Sequence, residues 1–118
     1  MIEVVDLRKS FGDNEILKGI TTTLETGKIN LIIGQSGSGK TVFLKSLLNV
    51  FEPTSGSILF DGRNIVEMTP KQKQELRAEI GTVFQGSALF DSMTVEENIM
   101  FPLDMFTNLT YTEKKKRV

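Results

Sequence analysis

The amino-acid sequence predicts an α/β fold, and three observations lead to that prediction. Residues 2–24 alternate and are rich in β-branched side chains, which is typical of strands. Residues 28–48 form a short apolar run, a glycine-rich loop and a segment with an apolar helical face. Helix-start signals then recur at Thr69, Thr94 and Thr110. We therefore expect a strand, loop and helix flanked by further strands and helices.

The N-terminal part should be built from strands. Residues 2–11 predict the first strand, and Asp13-Asn14 predicts a turn. Residues 16–24 predict a second strand pair that is broken at Gly19 and ended by residues 26–27. No helix is expected before the glycine-rich loop.

The glycine-rich loop is the strongest functional signal. Residues 34–41, Gly-Gln-Ser-Gly-Ser-Gly-Lys-Thr, fit the pattern G-x-x-x-x-G-K-[ST]. The apolar run 28–33 predicts a buried strand before it, and residues 41–48 predict a helix after it, so the context of the motif is also satisfied. The alternative, a glycine- and serine-rich surface turn, explains neither the spacing nor the context.

Phosphate binding explains the residue types in this loop. Glycines let the backbone turn tightly and point several N–H groups at an anion, and the helix start adds partial positive charge. Lys40 can reach the β- and γ-phosphates, and the Thr41 hydroxyl can ligate Mg²⁺. The candidate nucleotide-binding residues are Gly34, Ser36, Gly37, Ser38, Gly39, Lys40, Thr41 and Val42.

The elements after the loop helix are each marked by a turn or a capping signal. They are a strand at 57–60, a helix at 70–79, a buried strand at 80–84, a helix at 95–101 and a helix that begins after Thr110. The last of these has only a turn or two before Val118, which predicts that the natural protein is longer.

Composition narrows the class of protein. The 118 residues are 39% hydrophobic and 25% charged, as expected of one soluble domain, and the net charge of −1 argues against nucleic acid as a partner. The absence of cysteine fits a reducing compartment, and the absence of histidine excludes histidine-based catalysis or metal binding in these residues. No run approaches transmembrane length and no signal peptide is visible, so a cytoplasmic location is expected.

Two segments beside the loop make nearly the whole chain resemble the ATP-binding subunit of ABC transporters. In Lys9-Ser10-Phe11-Gly12, the resemblance implies that Phe11 stacks on adenine; the alternative is a core phenylalanine. Gln85 follows Val83-Phe84 and precedes Leu89-Phe90 and Thr94-Val95-Glu96-Glu97-Asn98-Ile99. The resemblance implies that Gln85 is the Q-loop residue, which ligates Mg²⁺ or the attacking water; the alternative is a plain surface residue.

The resemblance also implies an architecture. It is a P-loop NTPase (RecA-like) core with an N-terminal antiparallel β subdomain and the start of a helical subdomain. On this basis residues 1–118 form part of an ABC ATP-binding domain: a β subdomain at 1–27, a core with β insertions at 28–85 and the helical start at 86–118. The implied cofactors are ATP and Mg²⁺.

The sequence of residues 84–95 resembles that of the Mla/Mce-associated branch of the family. The ATPases of this branch power phospholipid movement between bacterial membranes. This resemblance implies a peripheral protein at the cytoplasmic face of the inner membrane. Its partners would be a transmembrane permease subunit and, in the full-length form, a second copy of the ATPase subunit. Two departures from many relatives are Asp91 in place of proline and Val42 in place of a hydroxyl residue; Val42 keeps its backbone N–H.

Other parts of the family pattern are not found in these residues. There is no Leu-Ser-Gly-Gly-Gln signature, no switch histidine and no Walker B strand ending in Asp-Glu; Asp61, followed by Gly62, reads as a turn. We therefore expect the 118 residues alone not to hydrolyse ATP. A non-catalytic nucleotide-binding module and an importer ATPase for another substrate remain alternatives. The sequence contains no Asn-Lys-x-Asp motif, with which a GTPase would recognise guanine. It also contains no arginine-rich segment that could form the lid of a kinase.

The segment from Gln85 to Phe101 is unusually apolar for a connecting region. The resemblance implies that it receives the coupling helix of the membrane subunit, and exposed apolar clusters commonly mark such sites. The alternative is that these side chains pack the helical subdomain. The side chains concerned are Leu89, Phe90, Met93, Met100 and Phe101.

Overall fold

A computed structural model describes all of residues 1–118. Its contacts divide the chain into two compact units, Met1–Gly81 and Thr82–Val118. The first unit holds the sheet and the glycine-rich loop, and the second holds the last two helices. The boundaries predicted at residues 27 and 85 concern domain organisation and stay predictions.

The first unit contains one antiparallel sheet. Its strands are β1 (Ile2–Phe11), β2 (Asn14–Leu24), β3 (Ser55–Phe60) and β4 (Arg63–Asn64), in the order β2-β1-β3-β4. The long strand β1 pairs on both edges, so Ile2 lies opposite Leu24 on one side and Phe60 on the other. The strands expected in residues 2–24 and 57–60 are thus present. One continuous β2 replaces the expected strand pair, because it bends at Gly19 (φ 97°) without ending.

Three of the four α-helices begin where the capping signals predicted, and the first begins at the end of the glycine-rich loop. The helices are α1 (Lys40–Leu47), α2 (Pro70–Ala78), α3 (Val95–Phe106) and α4 (Tyr111–Arg117). Thr69, Thr94 and Thr110 each form a full capping box with the residue three positions later. The helix expected to end near Phe101 continues to Phe106, because Pro102 interrupts only one backbone bond. None of the helices is long and apolar enough to cross a membrane.

The core of the first unit lies between the sheet and the helices α1 and α2. Leu7 and Ile58 on neighbouring strands are fully buried, and Phe43 on α1 and Leu76 on α2 pack into the same cluster. Burial of side chains of this size contributes about 1.5–3 kcal/mol each. The buried members are Val4, Leu7, Leu17, Phe43, Leu47, Ile58, Phe60, Ile65 and Leu76.

Two predicted buried strands are wrong for this chain. Residues 28–33 and 80–84 form no strand, and Ile29 is 100% exposed while Val83 is 98% exposed. A buried strand needs neighbouring backbones on its edges and layers on its faces. The single sheet of this chain supplies no strand beside either segment, so most of their apolar side chains face solvent.

An ion pair beside β4 gives the first unit a testable pH dependence. Arg63 donates two bonds to Glu79, of 3.2 and 3.1 Å, and this guanidinium lowers the pKa of Glu79 below its ordinary value of 4.5. A carboxyl group whose pKa is lowered on folding stabilises the folded state at pH values above its ordinary pKa. This stabilisation is lost as the pH falls through the lower, folded-state pKa. We expect Glu79→Gln to lower the unfolding midpoint slightly at pH 7 and to match wild type in acid. A difference that grows on acidification would contradict this assignment.

Candidate functional site

The glycine-rich loop closes on itself just before α1. Gly37 has φ 78° and Gly39 has φ 100°, a left-handed conformation that glycine adopts readily. A Cβ on Gly34 would lie 2.6 Å from the Ser38 hydroxyl oxygen, so a side chain there would displace the Ser38 hydroxyl. The Ser38 N–H donates to the Gln35 carbonyl at 3.1 Å and completes the turn.

Gly39 also lets the loop approach the sheet. A Cβ at this position would lie 3.1 Å from Ile16 Cγ2 and 3.2 Å from Leu17 Cδ2, both on β2. Leu17 is buried in the core, so it has little freedom to retreat. The loop and the start of α1 are therefore held against β2 at a fixed distance.

Lys40 folds back across the loop that precedes it. Its ammonium donates to the carbonyl oxygens of Gly34 and Gln35, the latter at 3.1 Å. The side chain therefore already spans the mouth of the loop. A bound phosphate would offer charged oxygens in place of these neutral carbonyls, and bonds between charged partners are the stronger kind.

The start of α1 is free to receive an anion. Gly39 supplies no capping side chain, and the first turn of the helix contains no acidic residue. The first N–H groups of a helix lack internal partners, so they can donate to phosphate oxygens. Thr41 is exposed there, while Val42 packs against the core and can offer only its backbone N–H.

An open groove runs from the loop along β2. It has a volume of about 610 Å³, within the range of small-molecule sites. Gly37 and Ser38 line one side, and residues 14–20 line the other. The loop therefore faces a space that a ligand larger than phosphate could enter.

Phe11 lies at the end of β1 and is 43% exposed, which disfavours the alternative of a core phenylalanine. Its ring meets the ring of Phe51 edge to face, with centroids 5.2 Å apart. The Lys9 ammonium lies 5.0 Å from the Phe11 centroid. Phe51 was not predicted as part of the site, because no local sequence pattern connects it with residue 11.

Gln85 belongs to the second unit, where it begins an exposed turn. The segment after it is fixed to α3 by Asn98, which belongs to the motif that carries the family resemblance but had no predicted role of its own. The Asn98 side chain accepts from the Phe90 N–H at 2.8 Å and donates to the carbonyls of Phe90 and Thr94 at 3.1 and 2.9 Å.

The predicted apolar docking set divides into two groups. Leu89 is 68% exposed and Phe90 is 46% exposed, whereas Met100 is only 6% exposed. The Phe90 ring packs on Phe101 with centroids 4.8 Å apart. Met100 is therefore buried, Phe90 and Phe101 pack on each other within the second unit, and Leu89 stays exposed.

Comparison with known proteins now identifies the fold. A family model described as ABC transporter matches residues 17–118. The chain belongs to the ABC transporter family. A dimeric bacterial ABC transporter cassette, MJ0796, superposes with a TM-score of 0.85 at 27% identity, over 99% of this chain and 53% of the cassette. CbiO1 from Clostridium perfringens gives a TM-score of 0.82 at 32% identity, over 98% of this chain and 46% of that one. These structures confirm the predicted fold class.

Curated relatives of this chain are named as ATP-binding proteins. The chain is 43% identical to the probable ribonucleotide transport ATP-binding protein mkl of Mycobacterium tuberculosis, over 95% of this chain and 31% of the relative. It is 37% identical to the methionine import ATP-binding protein MetN of Rhizobium johnstonii, over 99% and 32%. This ABC chain thus spans about a third of the length of the curated relatives it matches.

Proposed function

We propose that this ABC chain is the nucleotide-binding part of a transport ATPase subunit and that it binds ATP with Mg²⁺. One observation carries the proposal: Lys40 spans a closed glycine loop at an uncapped helix start beside an open groove. An MJ0796 cassette structure bound to ADP and phosphate, which superposes at a TM-score of 0.84, supports it.

Each predicted site residue has a role in this proposal. The backbone of residues 34–42 donates to phosphate oxygens, and Lys40 contributes its charge to the β- and γ-phosphates. Phe11 stacks on the base. Mg²⁺ requires oxygen ligands, and the Thr41 hydroxyl can supply one. The role of Gln85 as the Q-loop residue stays a prediction.

Binding and turnover should separate in this chain. Phosphoryl transfer to water needs a residue that orients or deprotonates the water, and in this family the Walker B glutamate, the switch histidine and the signature motif serve that step. We expect calorimetry to detect MgATP binding to the 118-residue chain and a phosphate-release assay to detect no steady turnover. Phosphate release that disappears in Lys40→Ala would contradict this prediction.

We propose that the transported substrate is phospholipid, because the sequence of residues 84–95 resembles that of the Mla/Mce-associated branch. The names of relatives point to ribonucleotides, methionine and spermidine or putrescine, so an importer ATPase for another substrate is the alternative. Reconstitution of the intact subunit with its permease in vesicles decides between them. Phospholipid should stimulate ATP hydrolysis, and stimulation by a small polar solute alone would favour the alternative.

We further propose that the intact subunit acts as a dimer at the cytoplasmic face of the inner membrane, with residues 85–101 against the permease. The exposed Leu89 and the Asn98-anchored Phe90 support this role. In the domain organisation we propose, residues 1–27 form the β subdomain, residues 28–85 the core and residues 86–118 the helical start.

The docking assignment predicts a crosslinking pattern. Cysteines at Ser87 or Ser92 in the intact subunit should crosslink efficiently to the permease, because both lie in the proposed contact segment. Cysteine at Ser55, an exposed residue on β3 in the other unit, is the matched control and should crosslink poorly. Efficient crosslinks from Ser55 with none from Ser87 or Ser92 would refute the assignment.

A further inference from the structure

We propose that Phe51 is a positioning residue that holds the Phe11 ring for stacking on the nucleotide base. This inference rests on the proposed ATP site. The two rings meet at an interplanar angle of 79° with centroids 5.2 Å apart, an attractive edge-to-face geometry. Phe11 is exposed and ends a strand, so without Phe51 its ring would lack an aromatic neighbour.

Two lysines reinforce the pair of rings. The Lys9 ammonium lies 5.0 Å from the Phe11 centroid and 6.0 Å from the Phe51 centroid. The Lys45 ammonium, on α1, lies 5.5 Å from the Phe51 centroid. Cations at these distances are attracted to aromatic rings, and the Lys9 charge is shared between both.

Phe51 is itself fixed to the helix that follows the phosphate loop. The N–H groups of Val50 and Phe51 donate to the Lys45 carbonyl at 2.8 and 3.3 Å. Those bonds satisfy a carbonyl in the last turn of α1, which has no partner within the helix. The position of the Phe51 ring therefore follows the position of α1.

The same segment is tied to the strand that carries Phe11. The Thr54 N–H donates to the Arg8 carbonyl at 2.9 Å, and the Ser10 N–H donates to the Thr54 hydroxyl at 3.0 Å. Lys9 donates to the Glu52 carbonyl at 2.8 Å. Residues 50–54 thus connect α1 with the end of β1, and Phe51 is the aromatic contact within that connection.

This connection predicts that loss of Phe51 weakens the binding of the base and leaves the binding of the phosphates unchanged. A ring that is already oriented loses less freedom when it binds a ligand, so it binds more tightly. Because Phe51 acts through Phe11, its loss should weaken ligands that carry a base. Ligands that consist of phosphate alone should be insensitive to it.

The experiment compares MgATP with magnesium tripolyphosphate on the intact subunit by calorimetry. Phe51→Leu keeps an apolar side chain and removes the ring. We expect it to weaken MgATP binding by about two- to tenfold. Tripolyphosphate affinity should change less than about twofold, since the phosphate loop is untouched. Phe51→Tyr, which restores the ring, should recover MgATP affinity.

Phe106→Leu serves as a matched control, because Phe106 is 65% exposed and lies in the other unit. It should leave both affinities unchanged. Equal loss of MgATP and tripolyphosphate in Phe51→Leu would show a general structural role and overturn the inference, as would no loss of either. A wild-type subunit that binds neither ligand would instead overturn the proposed ATP site.

Discussion

Lys40→Ala is expected to remove most of the MgATP affinity of this chain. The substitution deletes the one charged side chain that spans the loop, and with it the bonds that would pass to the β- and γ-phosphates. Hydrogen bonds to charged groups contribute about 1.5–3 kcal/mol each, so the loss of two should weaken binding at least about 100-fold. Calorimetric titration with MgATP measures the change directly.

The control for this substitution is Lys71→Ala, which removes an exposed lysine from α2 in the same unit. It lowers the net charge equally, so it separates local phosphate contact from general electrostatic attraction. Thermal unfolding of both variants shows whether the loop substitution has disturbed the fold. Equal MgATP affinity in wild type and folded Lys40→Ala would refute the phosphate role of Lys40.

Local signals made the helix starts and the site loop predictable. The capping boxes at Thr69, Thr94 and Thr110 depend on residues three positions apart, and all three are present. The glycines at 37 and 39 have the positive φ that a tight phosphate loop requires. Such features can be predicted from short segments of sequence, because the interacting groups are near neighbours in the chain.

Features that depend on distant segments could not be predicted in this way. Residues 28–33 have the composition of a buried strand, but burial depends on neighbouring strands that the sheet of this chain does not supply beside them. The contact between Phe11 and Phe51 joins residues that no local pattern connects. Asn98 likewise bonds to Phe90, eight positions earlier in the chain. Propensity and capping rules concern closer neighbours and do not predict such a bond.

The sheet contains one position where glycine is required for steric reasons. Gly56, on β3, has φ 91°, and an added Cβ would lie 2.3 Å from the Asp6 carbonyl oxygen and 2.8 Å from Leu7 Cα. Asp6 itself has φ 44°, in an irregular part of β1 where the register with β3 shifts between Val5 and Arg8. The two backbones thus approach each other at a bulge, which commonly bends and twists a strand.

Gly56→Ala is therefore expected to destabilise the first unit strongly. The added methyl group would meet backbone atoms, and β1 cannot retreat easily because Leu7 is fully buried in the core. Backbone strain of about 1–3 kcal/mol adds to overpacking of similar size, so we expect a loss of about 3 kcal/mol or more. Urea unfolding followed by circular dichroism measures it.

Gly62→Ala separates the two contributions to that loss. Gly62 has φ 81°, but an added Cβ there would have no atom within 4 Å, so only the conformational strain remains. We expect this control to cost about 1–2 kcal/mol, clearly less than Gly56→Ala. Equal losses in the two variants would mean that β1 moves away from residue 56 without disturbing the core. In that case the close approach of β1 and β3 would not be a determinant of stability.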